Sequence, residues 1–130
     1  MITRLLFFSS SCILNRVLTG LCERYRWVSI SSNTPLPAAT RCWILGPAIG
    51  RAVEGYPEDL TIVVIVAGGL FYQVDGTRAG FINKEFDLFC VDKIIAEPEA
   101  LTQYKNRETL GKAGSQGVEL LTWITMRSAL

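Results

Sequence analysis

The chain carries twelve acidic side chains, four cysteines and four tyrosines, but no histidine. Neutral imidazole is a common nitrogen ligand for first-row metals, and it is the one side chain whose ordinary pKa brings its charge change near neutral pH. Proton transfer and metal-assisted chemistry must therefore be sought on other groups. Glu119 lies between Val118 and Leu120 in the first turn of an apolar segment that Ser115 can cap. A carboxylate there is favoured by the helix N-terminus but costly to bury unpaired, so a partner is expected opposite it. The second place to look is Leu70-Phe71-Tyr72-Gln73, which follows an apolar, β-branched run from Ile62 to Ala67 closed by Gly68-Gly69. Such a run reads as a buried strand, and ligands in open α/β sheets sit at the carboxyl ends of strands. The third is Arg78 in the loop Asp75-Gly76-Thr77-Arg78-Ala79-Gly80, whose two glycines can supply φ > 0. That arginine can meet a carboxylate ligand or pair structurally with Asp75 or Asp87. The loop holds neither of the glycine patterns that cradle phosphates, so nucleotide binding is unsupported.

Cys12, Cys22, Cys42 and Cys90 show no C-x-x-C spacing and lie among apolar neighbours. They read as reduced thiols rather than as a zinc site or a disulfide framework, which favours a cytoplasmic setting. With 130 residues, 49% hydrophobic, 19% charged and a net charge of +1, the chain has the size and polarity of one ordinary domain, with no electrostatic case for nucleic acid. No apolar run reaches the length of a membrane span.

The elements that must hold these residues can be read in order. Residues 1–25 are basic and serine-containing, with no acid before Glu23 and a short apolar patch from Leu5 to Phe8. They read as a leader, disordered or loosely packed, with a targeting segment as the alternative. Trp27 to Ser32 alternates as a short strand, ended by Thr34-Pro35-Leu36-Pro37. The spacing of Cys42, Trp43, Leu45, Ile49 and Val53 predicts a helix over 38–55, kinked or restarted at Gly46-Pro47. After the strand near 60–67, Asn83 is the expected cap of a helix over 83–96. Pro98 opens a helix over 98–105, Thr109 to Gly114 is a turn region, and a last helix covers 115–129. The expected fold class is α/β, a partial and mostly parallel sheet flanked by helices.

The run GG-x-x-x-Q-x-x-G-x-RAG-x-INKEFD, from Gly68 to Asp87, resembles the catalytic (beta) subunit of class III extradiol ring-cleavage dioxygenases, the family of protocatechuate 4,5-dioxygenase. The likeness extends from RCWILG at Arg41 and YPEDL at Tyr56 through EPEALTQY at Glu97 to GSQGVELLTWITMRSAL at the C-terminus. It implies that residues 26–130 are the C-terminal part of that catalytic domain, with 1–25 outside it. The resemblance implies a non-haem Fe(II) held by two histidines and one glutamate, open to a catecholic substrate and dioxygen. The glutamate corresponds to Glu119, whereas both histidine ligands belong to the family's N-terminal half.

A further family histidine, an acid/base beside the substrate, corresponds to Tyr72, and the serine before it to Phe71. Phenol has a pKa of about 10 against about 6.5 for imidazole, so Tyr72 would be a poor proton shuttle at neutral pH. Gln116 stands where the family often has glutamate. What the resemblance implies is thus a truncated relative of an aromatic ring-cleavage dioxygenase, acting in its family on protocatechuate or gallate, that does not hold iron tightly and is inactive alone. The alternatives are a non-catalytic interaction module that completes or modulates a homologous or alpha-type subunit, and a gene remnant without function.

Overall fold

The computed structural model describes residues 2–8, 24–28, 35–57, 59–66, 73 and 76–130. The expected turn at Gly68-Gly69, the positions Phe71, Tyr72 and Asp75, and Cys12 and Cys22 lie outside the described residues, as does most of 1–25.

Strands β1 (Ile2–Phe8), β2 (Arg24–Val28) and β3 (Leu60–Val66) form a parallel sheet in the order β2-β1-β3. Ile2 is opposite Leu60 and Phe8 opposite Val66, while Arg4 is opposite Arg24. The central strand therefore comes from within residues 1–25, where the sequence reading expected a leader. Its composition, ITRLLFF, is the near-continuous apolar and aromatic kind that central parallel strands require. The strand expected over 27–32 is described at Arg24–Val28 and so begins earlier.

Most of the described chain is helical. Helix α1 (Ala39–Glu54) runs through Pro47 as one element rather than restarting there. Proline deletes one backbone hydrogen bond and crowds the preceding turn. Pro47 is exposed, and the neighbouring Gly46 and Gly50 seat α1 directly on the last helix. Helix α2 (Lys84–Ala96) starts as expected, with the Asn83 side chain accepting a hydrogen bond from the Phe86 amide at 3.1 Å and with Glu85 and Asp87 in its first turn.

The segment Pro98–Gln103 winds as a tighter 3₁₀ helix. Helix α3 (Asn106–Ala113) replaces the turn expected over 109–114. Its start is secured by Glu108, whose carboxylate reaches back to the Lys105 amide at 3.0 Å. Gly111, read as a breaker, is carried inside the helix. Gly114, at φ 80°, then turns the chain into a second 3₁₀ helix, Ser115–Glu119, which runs straight into α4 (Leu120–Ala129). The expected single helix over 115–129 is thus a tight lead-in followed by an α-helix, and Gly114 rather than Ser115 stands at its N-cap.

The core lies between α1, α2 and α4, around Cys42, Phe86, Cys90, Leu101, Leu120 and Ile124. One face of β3 joins it through Val64 and Val66, while Val63 on the other face is 40% exposed. Helix α4 is buried on more than one side and carries Thr122 and Thr125 into this core. Their hydroxyls remain satisfied by the backbone of their own turn, Thr122 donating to the Glu119 carbonyl at 2.6 Å and Thr125 to that of Leu121 at 2.9 Å. No described helix is long and apolar enough to cross a membrane.

Candidate functional site

The candidate site is the short helix Ser115–Glu119 together with the loop that grips its start. Gly117 packs so closely on the preceding helix that a Cβ there would stand 2.7 Å from the Ala113 Cβ and 3.3 Å from the Thr109 carbonyl oxygen. This contact brings Glu119 inward, where it is 4% exposed. Glu119 ends the 3₁₀ helix and occupies the N-cap position of α4, one step earlier than the first-turn position expected for it, and its side chain does not cap α4. Its Oε2 is buried and accepts no hydrogen bond among the described residues. Burial accordingly pushes its carboxyl pKa up. The partner that electrostatics demands for a buried acid is absent from the described part of the chain.

At the other end of the same helix, the Ser115 amide donates to Gln73 Oε1 at 3.0 Å. Gln73 is held in turn by the loop that follows it. Its amide donates to the Phe81 carbonyl at 3.1 Å, and its carbonyl accepts from the Gly80 amide at 2.9 Å. Gly76 and Gly80 adopt φ of 80° and 82°, as the loop reading expected. Arg78 is exposed, lies over the Phe81 ring at 4.0 Å and donates to the Gly111 carbonyl at 3.4 Å. It braces the loop against α3. Gln73 sat inside the motif in the sequence without a role. Its only signal was its place just after Tyr72, and the contact with Ser115, forty-two residues away, belongs to the tertiary structure.

Tyr72 itself lies outside the described residues. Gln116 is half-buried beside Gly117. Asp87, on α2, is buried, and its charge adds to the burial that pushes the Cys90 thiol up to about 12. Cys42 is likewise raised by burial, with the Thr125 hydroxyl as its hydrogen-bond partner. Both are free, buried thiols with the character of small hydrophobic side chains.

The iron centre that the resemblance implies requires two imidazoles and one carboxylate. A buried glutamate with an unpartnered oxygen suits the carboxylate position. The remaining donors do not fit. The chain contains no histidine, and the described residues contain no group of three histidine, cysteine, aspartate or glutamate side chains able to hold a metal ion.

Residues 14–130 match the family described as the catalytic LigB subunit of aromatic ring-opening dioxygenase. The match includes the loop, the 3₁₀ helix and α4, and it begins within the 1–25 span. A gallate dioxygenase of Pseudomonas putida is 42% identical over 96 residues, which cover 74% of this chain and 28% of that protein. The chain thus spans less than a third of that relative's length. The protein belongs to the family of the catalytic LigB subunit of aromatic ring-opening dioxygenases.

Proposed function

We propose that the chain is a partial relative of an Fe(II)-dependent extradiol dioxygenase of the gallate or protocatechuate type that does not turn over by itself. The observation that carries this reading is the contrast between Glu119, buried with an unpartnered Oε2, and a sequence without a single histidine. One carboxylate is a weak anchor for Fe(II), which lies near the low end of the divalent affinity series. Glu119 is the retained carboxylate of that centre, and Tyr72 stands at the position of its acid/base histidine without replacing it. The three parallel strands are the C-terminal portion of the family's sheet, and the setting is cytoplasmic.

The test is to add ferrous ion anaerobically to the purified chain, quantify bound iron, and then follow oxygen uptake with gallate and with protocatechuate. Expected are substoichiometric iron and no ring opening. Stoichiometric iron with oxygen consumption would overturn the proposal.

A second reading, that the chain completes another subunit, is favoured by the outer face of α2. Leu88 and Ile95, two turns apart on that face, are 54% and 69% exposed, opposite the buried Phe86, Cys90 and Ile94. A helix apolar on both faces is normally enclosed. The partner would be a homologous chain supplying histidines. Co-purification with such a chain, with iron and activity appearing only in the complex, would select this reading over the first.

A further inference from the structure

The 3₁₀ helix carrying Glu119 has no capping side chain of its own. Its N-cap is Gly114, whose φ of 80° suits glycine, and glycine brings no acceptor. The first amides of a helix have no intrahelical partner. For Ser115 that acceptor is supplied from outside, by Gln73 Oε1 at 3.0 Å. The side chain is aimed rather than free to swing, because the Gln73 backbone is closed in a two-bond loop with Gly80 and Phe81. From the same loop Arg78 reaches the Gly111 carbonyl. The loop therefore holds the chain on both sides of the Gly114 turn, at residues 111 and 115.

Ser115 and Glu119 are the two ends of one five-residue helix, roughly 8 Å apart at a rise of about 2 Å per residue. So short a helix behaves as a rigid lever. Its middle is pinned by Gly117 on Ala113 and its far end by the Thr122 hydroxyl on the Glu119 carbonyl. Ser115 and Glu119 thereby belong to one short segment whose start is held by Gln73.

We propose that Gln73 is a positioning residue for Glu119, fixing the direction of that carboxylate by capping the start of its helix across forty-two residues of sequence. The functional importance of that direction rests on the reading of Glu119 as the retained carboxylate of a dioxygenase centre. The contact itself can be tested without iron or substrate.

The experiment is residue-resolved amide hydrogen exchange on the full chain, with the carboxyl carbon resonance of Glu119 recorded at one fixed pH. In Gln73→Ala, exchange at Ser115 should accelerate at least tenfold and the acceleration should extend to Glu119. The Glu119 resonance should shift, while the amides of α2 around Cys90 should not change. Gln73→Glu keeps an oxygen acceptor and should restore both signals. Ser115→Pro removes the donor at a helix position that tolerates proline, and should reproduce the loss at Gly117 and Glu119 if Gln73→Ala fails to fold. Unchanged Ser115 exchange in Gln73→Ala would overturn the proposal, as would uniform acceleration over all helices without rescue by Gln73→Glu. Either result would leave the dioxygenase reading to its own test of iron and oxygen uptake.

Discussion

Gly46 of α1 lies against Ala129 of α4 so closely that a methyl group in place of its hydrogen would stand 2.7 Å from the Ala129 amide nitrogen. Gly50, one turn on, would bring a Cβ to 2.8 Å from the Ala129 carbonyl oxygen. The Ser128 Oγ lies nearer still to the Gly46 position, but the Ala129 atoms are backbone, so relief requires the helices to part. Gly46→Ala is expected to lower stability by about 1–3 kcal/mol, overpacking outweighing the better helix propensity of alanine. A Cβ on Gly111 of α3 would meet nothing within 4 Å, so Gly111→Ala is expected to stabilise by about 0.5–1 kcal/mol. Urea midpoints of the two variants should move in opposite directions.

Burial holds the Glu119 carboxyl above its ordinary value of 4.5. The folded state therefore binds this proton more tightly than the unfolded chain does. The ionised group lowers stability above its raised pKa, and the penalty fades as pH falls through that value towards 4.5. Glu119→Gln should accordingly be more stable than the parent chain at pH 7, with the difference shrinking on acidification. Denaturation midpoints measured from pH 7 to pH 4 check this. A variant destabilised at pH 7 would mean that a cation outside the described residues pairs with Glu119.

Cys90, fully buried and facing the charge of Asp87, has its thiol pushed up to about 12. The thiolate is the reactive form, so Cys90 should resist disulfide-exchange reagents at pH 8 until the chain unfolds. Labelling resolved by peptide mass spectrometry, with and without denaturant, separates it from Cys12 and Cys22. Fast labelling of Cys90 in the native chain would contradict the packing of α2.

Asn83 caps α2 through the Phe86 amide at 3.1 Å. Asn83→Ala should cost about 1 kcal/mol and Asn83→Asp much less, because aspartate keeps the acceptor and adds a charge at the favourable end of the helix. Thermal unfolding of the two variants makes the comparison.

How much of this was legible beforehand depends on how local the cause is. The Asn83 cap, the positive φ at Gly76 and Gly80, and the helices over Ala39–Glu54 and Lys84–Ala96 follow from neighbouring residues and were readable. The family was also readable, from the motif between Gly68 and Asp87 and the segment ending in Leu130. Helix α3 was obscured by Gly111 and Gly114, since the glycine signal outweighed the return bond from Glu108, although only Gly114 ends the helix.

The amino-acid sequence by itself determined which chemistry is missing, because a chain without histidine has no imidazole to place anywhere. It also determined where α2 starts, because the Asn83 cap acts over three residues. Only the tertiary structure decided that Ile2–Phe8 lies between the other two strands, that α1 meets α4 through Gly46 and Gly50, and that Gln73 serves an amide forty-two residues away. Those relationships depend on which surfaces exclude water together, and no local pattern records a contact between residues so far apart in sequence.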